Sequence, residues 1–293
     1  MVVLKSKIKS FFVAMMYIGI AFVVQIIVSI IGATIVSINY FANNQSAIQN
    51  SGLDQTAAIT NELMSNMNYI LLTSSITTIV LFILIYKLRK KNISEELLFK
   101  GTNKLNYIVA LLLGVSVWIF NTGFVSLLSE GGLFKNSFKA LEESLAFVGV
   151  NNVILSILVV GIVAPFAEEL LFRGIIYNKL SKSISITGTI IIQGILFGAY
   201  HMNLVQGLYA SLLGIVFGYV TFKTKSIWPA IIMHMVNNTV SVTVPYILGE
   251  SFDSLFAYII LLFIGFIISS IGIVLIRKYN PKEEESTEKL IEI

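Results

Sequence analysis

The chain of 293 residues contains no cysteine, four prolines and two histidines. The lack of cysteine excludes disulfide bonds, thiolate metal sites, iron–sulfur clusters and a cysteine nucleophile. Charged residues are also scarce at 12%, whereas hydrophobic residues make up 56% and the mean hydropathy is +0.86. An average soluble domain carries about twice as much charge. This composition predicts a protein that folds in the lipid bilayer, and its formal charge of +4 gives no indication of nucleic-acid binding.

Eight hydrophobic runs are long enough to cross a bilayer, which takes roughly 17 to 25 residues. They predict an all-α membrane protein, a polytopic bundle of about eight transmembrane helices folded as a single domain over residues 1–293. The turn between the fifth and sixth runs, near Asn203, is so short that a re-entrant hairpin competes there with two full crossings. The runs cover residues 11–38, 67–86, 106–128, 152–174, 186–203, 206–222, 227–248 and 255–276.

The basic residues predict the orientation, because lysine and arginine accumulate in cytoplasmic loops. With eight crossings, the basic segments before the first run and after the second, fourth, sixth and eighth runs all lie on one side. The opposite side carries only Lys135 and Lys139. We therefore expect both termini in the cytoplasm, with residues 282–293 as a charged tail. Residues 133–146 have apolar positions spaced as on one helical face, which predicts a short helix at the membrane interface.

Ionisable residues inside the spans indicate where the chemistry lies. Two acidic residues, Glu168 and Glu169, and both histidines, His201 and His234, fall within predicted spans. An ionisable side chain near the bilayer centre costs at least about 2.5 to 3.5 kcal/mol on insertion scales, so such residues face a polar cavity and have partners. Four of them in neighbouring helices predict one intramembrane polar site.

The spacing along each run assigns a direction to these side chains. Glu169 precedes Arg173 by four residues, the favourable order for a helical ion pair, and we interpret that pair as structural. Glu168 is rotated by about 100° on the same helix and is free to face a cavity. A four-residue step likewise places His234 and Asn238 on one helical face.

The fourth and fifth runs are expected to form an antiparallel hairpin. Glu168 then lies opposite His201 if the turn falls at Ile184 or Ser185, where a polar stretch interrupts the apolar pattern. A single buried histidine is more often a satisfied core residue than a catalyst. The convergence of both histidines with a free glutamate favours a functional site.

Several known hydrolytic centres are excluded by what the sequence lacks. There is no His-Glu-x-x-His segment, so the zincin helix is absent. Both aspartates, Asp54 and Asp253, lie outside the spans, which excludes an aspartyl dyad. Ser211 lies in a pattern of ordinary helix packing rather than in a glycine-flanked turn, and the nearby glycines are interpreted as close helix-packing positions.

The polar residues that remain suit attack of an activated water on an amide carbonyl. A carboxylate accepts the proton, imidazoles hold the water or a metal, and a neutral amide donates to the oxyanion. The residues available for these roles are Glu168, His201, His234 and Asn238.

Three ordered motifs carry a resemblance to a known family. They resemble the signature motifs of the CAAX protease and bacteriocin-processing family, also called the Abi family, whose eukaryotic relatives are the type II CAAX prenyl endopeptidases. The motifs are Glu168-Glu169-x-x-x-Arg173, Phe197-x-x-x-His201 and His234-x-x-x-Asn238. The resemblance covers about residues 150–245, and the remaining helices match only in hydropathy.

The resemblance implies an intramembrane endopeptidase that cleaves a peptide or membrane-protein substrate. In one reading, Glu168 and His201 activate water while His234 and Asn238 stabilise the oxyanion, with Glu169, Arg173 and Phe197 as structural support. In another, Glu168, His201 and His234 bind a divalent metal such as zinc with one open position. No organic cofactor is expected.

The resemblance also bears on the biological role. Bacterial relatives are associated with peptide processing, bacteriocin immunity or the cell envelope. The rival interpretations are a non-catalytic scaffold or immunity protein and a proton-coupled carrier that uses the same buried groups.

Overall fold

The computed structural model describes residues 2–44, 55–149, 152–248 and 254–280. The charged tail predicted at 282–293 and part of the loop that precedes the second run lie outside these residues. The described residues form ten helices: α1 (Val2–Asn43), α2 (Gln55–Leu88), α3 (Ile93–Glu96), α4 (Lys104–Glu130), α5 (Lys135–Leu145), α6 (Val153–Ser181), α7 (Ile186–Tyr200), α8 (Leu204–Thr224), α9 (Trp228–Leu248) and α10 (Leu255–Tyr279).

All eight hydrophobic runs are helices, which confirms the prediction of an all-α polytopic membrane protein. Six of the described helices are long and apolar enough to cross a membrane: α1, α2, α4, α6, α8 and α10. Helix α7 has 15 residues and spans only about 22 Å, less than the roughly 30 Å of the hydrocarbon core. Helix α9 has 21 residues but carries the polar residues of the third motif, which lower its hydropathy.

Five segments predicted to be cytoplasmic lie together at one end of the bundle. They are the start of α1, the α2–α4 connection, the α6–α7 turn, the α8–α9 turn and the end of α10. The ammonium group of Lys182 donates to the Glu96 carboxylate at 3.0 Å, and this bond lowers the pKa of the carboxyl group. The contacts that join the five segments are Ser10–Ser183, Glu96–Lys182, Lys100–Ser226 and Asn106–Asn280.

The opposite end of the bundle carries the α7–α8 turn. Asn203 in this turn donates to the carbonyl of Ser137 in α5 at 2.8 Å, and its own carboxamide oxygen caps α8. Helix α5 is the short amphipathic helix that the sequence predicts. The α6–α7 turn ends at Ser185, whose hydroxyl caps α7, so the predicted position of the hairpin turn is confirmed.

Helix α6 is not a regular α-helix. Wider π-helical turns at Ile157–Val163 and Leu170–Ile176 flank a short α-helical segment, Ala164–Glu169. Pro165, the second residue of that segment, has no backbone N–H to donate to the carbonyls one turn earlier. Side chains from α9 supply donors instead: the Asn238 amide bonds to the Val160 carbonyl at 3.1 Å, and a hydroxyl of α9 lies 3.5 Å from the next carbonyl. The irregular turns thereby fix α9 against α6.

Helices α7 and α8 pack closely through glycine. A methyl group on Gly214 would lie 2.7 Å from the Cα of Gly194 and 3.2 Å from the ring of Phe197. The buried amide of Gln193 donates to the carbonyl of Gly214 at 2.7 Å and joins the two helices. The glycines that the sequence predicts at close-packing positions therefore hold α7, with its terminal histidine, against α8.

We expect Gly214→Ala to destabilise the protein by about 1 to 3 kcal/mol, because the added methyl group has no room without separating the two helices. Thermal unfolding in detergent measures the effect. The matched control is Gly19→Ala in α1, where an added Cβ meets nothing within 4 Å. That substitution should leave stability unchanged or raise it by up to about 1 kcal/mol, and equal losses in both variants would contradict the packing argument.

The polar residues lie where two apolar clusters meet. One cluster joins α1, α2, α6 and α7 and includes Phe172 and Phe197, and the other joins α4, α8, α9 and α10 and includes Phe217 and Met233. The rings of Phe197 and Phe217 both contact the imidazole of His234, with ring centroids 5.6 and 5.4 Å away. The candidate site is therefore enclosed by packed aromatic side chains.

Candidate active site

Glu169 lies at the centre of a buried charged chain. Its Oε1 atom is 2.8 Å from Nδ1 of His234 in α9 and 2.9 Å from Nη1 of Arg173, one turn further along α6. Glu169 and Arg173 are fully buried, and the His234 side chain is 4% exposed. The predicted ion pair is present, but the contact of Glu169 with the histidine was not predicted. One carboxylate thus contacts a guanidinium and an imidazole.

The guanidinium of Arg173 is held by charge and by aromatic faces. Its central carbon lies 4.4 Å from the centre of the Phe197 ring and 5.2 Å from that of Phe217. A cation over an aromatic face is attracted by the negative potential of the ring. Phe197, predicted as structural support, therefore packs between the buried cation and the histidines.

The imidazole of His234 is oriented by this chain. The carboxylate of Glu169 accepts a hydrogen bond from Nδ1–H, which directs Nε2 away from Glu169 and toward Glu168. The Nε2 atom lies 3.8 Å from Oε2 of Glu168. A carboxylate on one ring nitrogen fixes the tautomer and the ring direction of a histidine, as it does around metal-bound histidines.

The two adjacent glutamates occupy different environments. Glu169 is fully buried, whereas the side chain of Glu168 is 23% exposed and makes no hydrogen bond within the described part of the chain. Glu168 lines a cavity of about 70 Å³ between α1, α2 and α6. The polar residues around this cavity besides Glu168 are Gln25, Ser74, Ser75, Thr78 and Tyr200.

His201 lies in the turn that follows α7, one residue beyond the end of the helix. Its Nδ1–H donates to the carbonyl of Phe197 at 2.9 Å, and its ring packs edge-on against the Phe197 ring at 5.0 Å. This bond leaves Nε2 as the free ring nitrogen. The preceding residue, Tyr200, lines the cavity beside Glu168, so the end of α7 lies next to the carboxylate.

Asn238 follows His234 by one helical turn, as predicted, but its amide contacts the α6 backbone. One Nδ2 hydrogen bonds to the Val160 carbonyl, and the carboxamide oxygen accepts from Asn237 at 2.9 Å. A carboxamide nitrogen carries two hydrogens. The second hydrogen of Asn238 is the only donor left on this side chain.

The donor set expected for a metal is not gathered around one point. Among the residues that the structure describes, no three His, Asp or Glu side chains are close enough to share a cation. Glu168 and His234 face each other, but the three-ligand set of Glu168, His201 and His234 does not fit a catalytic zinc site, which uses three protein ligands.

The part of the chain that carries the candidate site is similar to a known protein family. The sequence model of the family "Type II CAAX prenyl endopeptidase Rce1-like" matches residues 150–240, the segment that carries all three motifs. The chain is therefore similar to this family over that segment. The matched segment begins just before α6 and ends within α9, so it contains every residue of the charged chain around Glu169 and both histidines.

A curated relative supports the same relationship. "Putative membrane peptidase YdiL" of Bacillus subtilis strain 168 is 30% identical to the chain over 139 residues, which is 43% of this chain and 55% of YdiL. The chain thus matches about half the length of this relative. No solved structure matches the chain.

Two parts of the site were missed in the sequence. The bond between Glu169 and His234 could not be recognised because Glu169 already had a partner at helical spacing. The hydroxyl residues of α2 were treated as part of an apolar run, although Ser74, Ser75 and Thr78 recur at steps of one, three and four residues. That recurrence, in a run otherwise rich in leucine and isoleucine, is the signal that could have identified the cavity wall.

Proposed function

We propose that the chain is an intramembrane endopeptidase that hydrolyses a peptide bond with a water molecule activated by Glu168 and His201. The observation that carries this proposal is the contrast between the two glutamates. Glu169 contacts both Arg173 and His234 in the apolar interior, whereas Glu168 lines a cavity with several polar residues, and its carboxylate lies 3.8 Å from Nε2 of His234. The match of this segment to a peptidase family supports the same function.

The proposed reaction begins with removal of a proton from water. The Glu168 carboxylate accepts this proton, and the water oxygen forms a bond to the carbonyl carbon of the substrate. The tetrahedral intermediate collapses when the carbon–nitrogen bond breaks, and Glu168 returns the proton to the departing amine. His201, whose Nδ1–H is engaged with a backbone carbonyl, accepts a second hydrogen bond from the water through Nε2.

The oxyanion of the intermediate needs donors that are already in place. In its protonated form, His234 presents Nε2–H on the side of the ring that faces Glu168, and Glu169 fixes that direction from the other side. The remaining amide hydrogen of Asn238 is a second donor, and its bond to the α6 backbone holds it one helical turn from His234. The charged chain thus positions the donor rather than reacting itself.

The sequence is compatible with a zinc-assisted and with a metal-free reaction, and the placement of the donors favours the metal-free one. The arrangement of Glu168, His201 and His234 offers two facing donors rather than three, so no step above passes through a metal. We expect the purified protein to keep its activity after dialysis against a chelator. Loss of cleavage that one added divalent cation restores would contradict this expectation, and metal content measured on the same samples is the independent readout.

The distribution of the basic residues and the contacts between loops support one membrane orientation. We propose that the end of the bundle that joins the α6–α7 and α8–α9 turns faces the cytoplasm, with both termini on that side. The substrate is a peptide or a membrane protein that reaches the site within the bilayer. Peptide processing, bacteriocin immunity and a cell-envelope role are the biological settings that this chemistry suits.

A purified, liposome-reconstituted protein assayed against a quenched fluorescent peptide library tests the proposal. Cleavage by the wild type that disappears in His201→Gln supports an endopeptidase. Solute uptake by the same liposomes without cleavage would instead identify a carrier. A cellular phenotype that persists in His201→Gln would identify a non-catalytic scaffold or immunity protein.

A further inference from the structure

One face of α2 is polar, although this helix is long and apolar enough to cross the membrane. Ser74, Ser75 and Thr78 lie on this face at steps of one, three and four residues and line the cavity beside Glu168. They are only 5%, 7% and 8% exposed. Polar groups buried at such positions need hydrogen-bond partners.

The three cavity hydroxyls make no hydrogen bond within the described part of the chain. Hydroxyls elsewhere on α2 behave differently: Thr73 donates to the carbonyl of Tyr69 at 2.8 Å, and Thr77 donates to that of Thr73 at 2.7 Å. Serine and threonine hydroxyls in helices commonly donate to the backbone carbonyl one turn earlier in this way. The hydroxyls on the cavity face therefore remain available to a ligand that enters from the cavity.

The lining and size of the cavity identify that ligand. Gln25, Tyr200 and Glu168 complete the polar wall, and none of the lining residues is basic. The cavity volume of about 70 Å³ is large enough to hold several water molecules. A wall of hydroxyl, amide and phenol groups around one carboxylate suits water, which can both donate and accept.

We propose that this cavity supplies the hydrolytic water, which leaves it toward Glu168 and the end of α7, and that Thr78 is a positioning residue which holds this water beside Glu168. The inference rests on the proposed endopeptidase function and gives a source for its nucleophile. The α2 hydroxyls hold the water oxygen while Glu168 removes one proton from it. The oxygen then bonds to the substrate carbonyl carbon, and Glu168 returns the proton to the amine nitrogen as the carbon–nitrogen bond breaks. The cavity refills from solvent for the next turnover.

A cysteine scan tests whether water reaches the cavity, and the chain suits it because it has no native cysteine. Ser75→Cys introduces a nearly isosteric thiol on the cavity face, and Ile76→Cys introduces one at a neighbouring position that is 48% exposed on the outside of the bundle. The probe is aqueous Ag⁺, a small cation that reacts with the thiolate. Because thiolates form poorly in apolar surroundings, Ser75→Cys in liposomes should react about a hundredfold faster than Ile76→Cys.

A pair of isosteric substitutions tests the positioning role. Thr78→Val removes a cavity hydroxyl, and Thr77→Val removes a hydroxyl from the adjacent position on the exposed face. One lost hydrogen bond to the water should lower kcat by about 3- to 10-fold in Thr78→Val with KM unchanged. The Thr77→Val enzyme should keep the wild-type kcat.

The outcomes separate this inference from the function on which it rests. Equal Ag⁺ reactivity of Ser75→Cys and Ile76→Cys would overturn the water site, even if the enzyme cleaves peptides. A reactive Ser75→Cys with a wild-type kcat in Thr78→Val would overturn the positioning role. A reactive Ser75→Cys in a protein that cleaves no peptide would overturn the proposed endopeptidase and the hydrolytic role of the water, and would leave only the access of water to the cavity.

Discussion

Glu168→Gln should lower kcat/KM for peptide cleavage by about a thousandfold while the protein still inserts and folds. The carboxamide keeps the shape of the side chain but cannot accept a proton, and a positioned general base typically contributes about 10² to 10⁴ in rate. Folding should be unaffected because the Glu168 side chain is 23% exposed and Nε2 of His234 is 3.8 Å from its carboxylate, beyond hydrogen-bond distance. Cleavage of the best library peptide and thermal unfolding of the same preparation measure the two quantities.

The matched control is Glu143→Gln on the amphipathic helix α5, where the side chain is 67% exposed. This variant should keep the activity of the wild type. If Glu168→Gln also retained activity, the proton acceptor would have to be another group, and the different environments of the two glutamates would not support the proposed function.

Glu169→Gln should instead destabilise the protein by about 3 to 5 kcal/mol. The substitution leaves the guanidinium of Arg173 without its countercharge in a place where both side chains are fully buried, and removal of one partner of a buried ion pair is costly in this range. Thermal unfolding in detergent and the yield of monodisperse protein measure the loss. Activity should fall as well, because the imidazole of His234 loses its charged anchor.

A second substitution distinguishes lost charge balance from lost shape. Replacing both partners, Glu169→Gln together with Arg173→Met, should restore much of the stability, because an apolar side chain of similar length replaces the unpaired cation. Breaking the exposed pair of Lys139 and Glu143, whose charged atoms are 3.9 Å apart, should change stability by less than about 0.5 kcal/mol. Equal stability of the single and double variants would show that the buried charge is not what destabilises Glu169→Gln.

The helices of this fold could be predicted from the sequence because membrane helices are recognised by the length and hydropathy of their apolar runs. Each of the eight runs is a helix, and the α6–α7 turn ends at Ser185 as the polar stretch suggests. Eight runs were predicted to cross the membrane, whereas six of the described helices are both long and apolar enough to do so. The polar third motif lowers the hydropathy of α9, and α7 ends early, before His201, in a tight turn.

The pairing of Glu169 with Arg173 was predictable because four residues separate them on one helix, and local spacing is visible in sequence. The contact of Glu169 with His234 was not, since the two residues are 65 positions apart in the chain and lie on different helices. The direction of the Asn238 amide was also hidden. The amide points to the Val160 carbonyl of α6, which lacks a backbone donor because Pro165 has no N–H. A helical wheel assumes that every backbone hydrogen bond of a helix is made, so it does not show this free carbonyl.

The local pairing inside α6 bears on the order in which the protein is built. A ribosome adds roughly 5 to 20 residues per second, so α6 enters the membrane several seconds before His234 has been synthesised. During that interval, Glu169 and Arg173 neutralise each other within a single helix. The newly inserted segment therefore exposes no isolated charge to the lipid. The ion pair thus compensates the charge of α6 before α9 is present, and His234 in α9 adds its contact with Glu169 afterwards.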